Sequence, residues 1–180
     1  MKAYLAGPDV FLPDAKANAA AKIAICATYG ILGLAPLNDD IEAIMKMPED
    51  EAWRAIYLKD IEMMEESDII IANLTPFRGA SADSGTLIEV GWFLGRGKKV
   101  FGYSNSPIGF AARSQAQVAA VPDAIAGLAV EGFGLPDNLM IPGAVEYGGG
   151  LPVFLPLAGE VVGFDSLAVF ERCVAAITKR

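Results

Sequence analysis

An α/β fold built on a doubly wound parallel sheet, with helices on both faces, is predicted by three features of this sequence. Short apolar runs alternate with helical patterns from Met1 to Tyr103, the rhythm of strand–helix–strand units. One of those runs, Asp68–Leu74, is apolar without a break over Ile69–Ala72, as in a strand buried on both faces. Loops rich in Gly, Pro and Ser follow the strands, at the end of the sheet where such folds hold ligands.

The elements follow in order. Lys2–Ala6 reads as a first strand that opens at Gly7-Pro8 into a loop. Asp14–Tyr29 carries a helical pattern stopped by Gly30, and Ile31–Ala35 is a second strand closed by Pro36–Asp40. Pro48 followed by Glu49, Asp50 and Glu51 starts a helix, because proline fits the first turn and acids favour the positive helix end. That helix should run to about Glu66 and lead into the strand at Asp68–Leu74. The loop Thr75–Asp83 then enters a helix from Ser84 to about Arg96, and Lys99–Tyr103 is a fourth strand. From Asn105 to Gly163 the pattern breaks into Gly- and Pro-rich turns, as in a functional segment or one packed on a partner chain. Ser166–Lys179 is a closing helix.

The chain has 180 residues, enough for one domain over 1–180 with a core of its own. No apolar stretch approaches the roughly 20 residues of a membrane-spanning helix, and the opening Met1–Pro8 does not read as a signal peptide. The net charge of −8 disfavours nucleic acid and anionic membrane surfaces as partners, since both demand a positive face. Cys26 and Cys173 sit in helical apolar patterns and read as core thiols of a reducing, cytoplasmic protein. The sequence has no histidine. That excludes Ser-His-Asp and Cys-His catalysis and most catalytic zinc sites, and it leaves acid–base work to carboxylates, Tyr, Lys or water. No metal or organic cofactor is expected.

Two carboxylates stand out. In Ala82–Trp92, Asp83 and Ser84 are placed to cap a helix. Gly85 permits a close approach by backbone or ligand, and Leu87, Val90, Gly91 and Leu94 form the stripe expected on the sheet. Glu89 lies off that stripe, near the positive helix end, which should favour its ionised form. An ionised glutamate beside small residues is a candidate nucleophile for an electrophilic sugar carbon; a solvated surface glutamate is the competing reading. Asp60 interrupts an apolar series of Trp53, Tyr57 and Met64 at helical spacing. Burial there would raise its pKa and make it a proton donor, with an exposed helix acid as the alternative. An acid of raised pKa near an ionised glutamate is the division of labour of retaining glycoside hydrolysis.

Four segments in this order resemble the nucleoside 2-deoxyribosyltransferase family: Tyr4–Phe11, Asp68–Asn73, Asp83–Gly91 and Phe133–Met140. The resemblance implies a flavodoxin-like (Rossmann-like) fold and a double displacement on deoxynucleosides. Glu89 would then be the nucleophile that attacks C1′, Asp60 the acid serving the leaving base, and Tyr4 the residue that orients Glu89. Asp83 would hold the sugar hydroxyls. Asn138, given by a neighbouring subunit of a homo-oligomer, would bind the 5′-hydroxyl, with Met140 lining the same pocket. Gly7 and Gly85 would admit the substrate closely, and Asp39 or Asp40 in the loop Pro36–Asp40 would face the base. The loop Pro76–Ala82 is longer than the family's pattern, so no base specificity is implied. The expected partners are nucleosides and free nucleobases. A nucleoside 5′-monophosphate N-glycosidase is the nearest alternative, disfavoured because the carboxylate of Asp137 beside Asn138 would repel phosphate, though Arg78 or Arg113 would favour it. A non-catalytic nucleoside-binding module is the alternative from another class.

Overall fold

The computed structural model describes residues 1–37 and 41–179. Four strands, β1 (Lys2–Ala6), β2 (Leu32–Leu34), β3 (Ile69–Asn73) and β4 (Lys99–Tyr103), form one parallel sheet in the order β2-β1-β3-β4. In register, Ala3 lies opposite Ile69 and Ile69 opposite Lys99. The chain winds to one side of β1 and then to the other, so the strand order reverses between β1 and β3. That switch leaves a crevice at the carboxyl ends of these two strands. Beyond β4 the sheet is extended by a single bridge, Tyr103 to Phe154.

Side chains on a strand alternate between faces, and the two cores follow from that period. Ala3, Leu5, Ile69, Ile71, Phe101 and Tyr103 pack with Cys26 of α1 (Ala15–Thr28) and with Val169, Phe170 and Cys173 of α7 (Ala168–Ile177). Tyr4, Ala6, Ile70, Ala72 and Val100 face α3 (Glu49–Glu66), α4 (Ser84–Gly95) and α6 (Met140–Gly149). The result is the doubly wound, flavodoxin-like α/β fold. Both cysteines are buried and free, and burial pushes the Cys26 thiol up to about 11. No helix among the described residues is long and apolar enough to cross a membrane.

Differences from the sequence reading have physical causes. The short α2 (Ile41–Ile44) and two longer helices, α5 (Phe110–Ala120) and α6, were not expected. The α5 helix buries no residue and so shows little apolar periodicity. The α6 helix contains Pro142 and three glycines, residues that lower helix propensity. Two of the glycines serve packing: a Cβ on Gly148 would press on Leu94 and Val100, and one on Gly149 would collide with the Val100 carbonyl oxygen. On α4 the buried residues are Thr86, Val90 and Phe93, and the expected Gly91 faces open space. On α3 the buried side runs through Ala52 and Met64, while Trp53 and Tyr57 are exposed. Asp60 lies on the buried side, one turn before Met64.

Candidate active site

Three elements, β1, α3 and α4, bring a phenol and carboxylates together on the face of the sheet that carries Tyr4. Tyr4 is central in β1 and wholly buried, with its ring stacked on Phe93 of α4 at 6.0 Å. Its hydroxyl donates to Glu89 Oε1 at 2.7 Å. Glu89 therefore is not a solvated surface acid. Burial pushes its carboxyl up to about 7; the Tyr4 hydroxyl opposes that shift, and the charges of Asp60 and Asp83 add to it. The helix end expected to keep Glu89 ionised is outweighed by desolvation.

Asp60 approaches the same place from α3. Its Oδ1 is buried without a hydrogen-bond partner, and burial raises its carboxyl to about 6. Its charge is felt by both Tyr4 and Glu89. Burial drives the Tyr4 phenol well above its ordinary value, and both carboxylates push it further. Tyr4 therefore acts as a hydrogen-bond donor and stays protonated.

Asp83 caps α4, its Oδ2 accepting from Thr86 N at 3.0 Å and from Thr86 Oγ1 at 3.2 Å. Gly85 is exposed in the first turn, where a Cβ would stand 3.1 Å from that same Asp83 oxygen. Gly7 follows β1 with φ +154°, and a Cβ there would meet Asn73 Cβ at 2.7 Å and Asp9 Oδ2 at 2.6 Å. Close packing thus accounts for glycine at position 7. Asp39 lies outside the described residues.

Asn138 follows Asp137, which is bonded to Ser81 and Ala82 in the loop between β3 and α4. Its Nδ2 donates to Glu131 at 2.8 Å, and its Oδ1 accepts from Met140 N at 3.2 Å. Met140 itself is exposed at the start of α6. Asp137, by contrast, is buried: it accepts from Ser81 Oγ at 2.5 Å, Ala82 N at 2.9 Å and Asn138 N at 2.8 Å, and lies 3.9 Å from Arg113 Nη2. The expected repulsion of phosphate by Asp137 therefore does not follow, because this carboxylate is consumed in tying the loop down. Glu131 is the acid that stands beside Asn138. Arg113 is equally committed, donating to the carbonyls of Ala80, Ile108 and Pro136.

A buried network missed in the sequence braces the strand ends. Lys22 Nζ donates to Asp9 Oδ2 at 2.6 Å, and Asn73 Nδ2 donates to both Asp9 oxygens at 3.1 Å. Asn73 Oδ1 in turn accepts from Thr75 N and Thr75 Oγ1. Asn18, Lys22 and Cys26 form the buried face of α1, so a lysine at core spacing in an Ala-rich helix was the available signal. A cavity of about 560 Å³ opens beside Asn138, lined also by Ser81, Phe110, Gln117 and Glu131 among others. The four residues Tyr4, Asp60, Asp83 and Glu89 do not line it.

The model of the family described as nucleoside 2-deoxyribosyltransferase matches residues 3–140, which hold all of these side chains. The chain belongs to that family. Its members act on nucleosides and nucleobases, and a glycosyl-transferring or glycosyl-hydrolysing enzyme is the class that membership supports. The chain is similar over 99% of its length, and 97% of the other, to the solved 2-desoxiribosyltransferase of Leishmania mexicana, with 29% identity and a TM-score of 0.66. A conserved protein of Enterococcus faecalis V583 shares the fold, at 21% identity and a TM-score of 0.55 with 98% of each chain covered. An uncharacterized protein of Schizosaccharomyces pombe is 36% identical over 103 residues, 56% of this chain. The match spans about half, 48%, of that protein's length.

Proposed function

We propose that the chain is a nucleoside 2-deoxyribosyltransferase that moves 2-deoxyribose between nucleobases with retention at C1′. The observation that carries this reading is the Tyr4–Glu89 hydrogen bond of 2.7 Å beside the unpartnered, buried oxygen of Asp60. A phenol that donates to one carboxylate oxygen steadies the ionised form and leaves the other oxygen to attack. In the first half-reaction a Glu89 oxygen bonds to C1′ as the C1′–N bond breaks, and the departing base takes the proton of Asp60. In the second, an acceptor base attacks C1′, its proton returns to Asp60, and Glu89 leaves as carboxylate. Each displacement inverts C1′, so the pair retains configuration.

The pair of raised carboxyls suits this exchange because one proton shared between them leaves one acid and one base. The Tyr4 donor lowers the Glu89 carboxyl and so works toward moving that proton to Asp60, against the burial that holds Glu89 at about 7 and Asp60 at about 6. Asp83, fixed by Thr86, orients the sugar hydroxyls. The 5′-hydroxyl is bound by Asn138 of a neighbouring copy, with Met140 at the same contact, in a cytoplasmic homo-oligomer. The carboxylate of Glu131 beside Asn138 favours a free nucleoside over a nucleotide.

The test is to incubate the protein with deoxyinosine or thymidine, with and without free adenine, beside Glu89→Ala. A deoxyadenosine product that is lost in the variant is the expected result. Free base and deoxyribose in amounts indifferent to adenine would assign hydrolysis instead. No turnover of any nucleoside or nucleotide would leave a binding module.

A further inference from the structure

The loop between β3 and α4 carries a feature that the displacement chemistry does not use. Arg78 adopts φ +54°, a left-handed conformation uncommon for a residue with a side chain. It sits at the tip of a turn closed by Phe77 N donating to Ser81 O at 3.0 Å. Its guanidinium carbon lies 4.6 Å from the Phe77 ring centroid and 5.2 Å from that of Phe11. Those rings are themselves stacked at 5.4 Å with 9° between their planes. Phe77 reaches on to Phe164 at 6.3 Å. Phe11 nevertheless keeps 58% of its surface exposed. Among the described residues Arg78 has no carboxylate or carbonyl partner, in a chain of net charge −8. Arg113, the other arginine of this region, is spent on backbone carbonyls and Asp137.

A strained backbone is kept only where its surroundings or its use repay it. Here it holds a donor fork against a flat aromatic surface at the carboxyl end of the sheet, on the loop that leads to Asp83. We propose that Arg78 selects the nucleobase, donating from its guanidinium edge to two acceptors on one edge of a purine laid against the exposed ring of Phe11. This rests on the transfer reading for its substrate class and adds the base to it. Aromatic faces stack any base; the donors do not treat all bases alike. Arginine has donors and no acceptor. A 6-oxopurine presents O6 and N7, both acceptors, and matches the fork. A 6-aminopurine presents N7 beside an amino donor, and the second contact becomes donor against donor.

The experiment compares dissociation constants for free hypoxanthine and free adenine, by equilibrium dialysis, in the unaltered protein, Arg78→Gly and Arg78→Lys. Glycine removes the fork and suits the left-handed backbone, while lysine keeps the charge without the planar fork. Tighter binding of hypoxanthine is expected, with the hypoxanthine-to-adenine preference falling about tenfold in Arg78→Gly and falling also in Arg78→Lys. An unchanged ratio in Arg78→Gly overturns the inference. Turnover of deoxyinosine and of its 5′-monophosphate is followed in parallel. Loss confined to the monophosphate would assign the guanidinium to phosphate and likewise overturn it. Absence of turnover with the binding preference intact would sink the transferase reading and leave the base selection standing.

Discussion

Burial of Glu89 makes its protonation a property of the fold as well as of the chemistry. Its carboxyl rises from an ordinary 4.5 to about 7, chiefly through desolvation. The folded state therefore binds more protons than the unfolded chain between those two values, and stability falls as pH rises through that window. Asp60, raised from 3.8 to about 6, acts in the same direction over a lower window. Glu89→Gln keeps an acceptor for the Tyr4 hydroxyl and removes the buried charge. It should stabilise the protein at pH 8 by about 1–2 kcal/mol, discounted for partial exposure, and give no gain at pH 4. Thermal melts at the two pH values check this; an equal shift at both would mean that the carboxylate is not penalised by burial. The trade of stability for a charged site is common at functional positions. At this scale the sequence was legible in part. Glu89 and Asp60 announce themselves by standing off or interrupting apolar patterns, and Asp83 by its place at a helix start. The ionisation balance of Glu89 is not legible in the sequence, because a helix position reveals the nearby dipole and not the depth of burial beside Tyr4.

Asp137 shows how one buried carboxylate joins elements that lie far apart in sequence. It accepts from Ser81, Ala82 N and Asn138 N and faces Arg113, so it binds the β3–α4 loop to the start of α6. Asp137→Ala would leave those donors and the Arg113 charge without their acceptor, a loss of about 3 kcal/mol. It should also loosen the approach to Asp83, so that substrate KM rises in whatever protein still folds. Urea unfolding with steady-state kinetics measures both; a stability change under 0.5 kcal/mol would show that the loop is held elsewhere. The strands β1, β3 and β4 and helices α1, α3, α4 and α7 were legible because apolar periodicity, caps and breakers agree there. The α6 helix was not, since its Gly148 and Gly149 answer to Val100 and Phe101 across the fold. Close approach to a strand reads locally as a break. Asn73 and Lys22 were hidden for a related reason: a network whose members come from three elements has no local spacing.

For the whole molecule, the decisive question is which chain supplies Asn138. Within one chain its amide is taken by Glu131 and Met140 N, while Leu139, Met140 and Phe133 around it stay exposed. Apolar side chains left open beside a polar anchor suit a surface that meets another copy. If the neighbour supplies Asn138, Glu89→Ala and Asn138→Ala damage opposite sides of a shared site. In a two-fold dimer, random exchange of equal amounts makes about half the dimers mixed, each with one intact site. Activity should then recover to about a quarter of the unaltered level, from two preparations that are each nearly inactive. Co-expression, or mixing after mild dissociation, followed by the transfer assay gives the number. Recovery requires exchange, so mixed dimers are counted by a tag carried on one variant. Abundant mixed dimers without recovered activity would place Asn138 in the same chain as Glu89. The stretch 105–163, with α5 and α6 in it, would then have to be explained by folding alone.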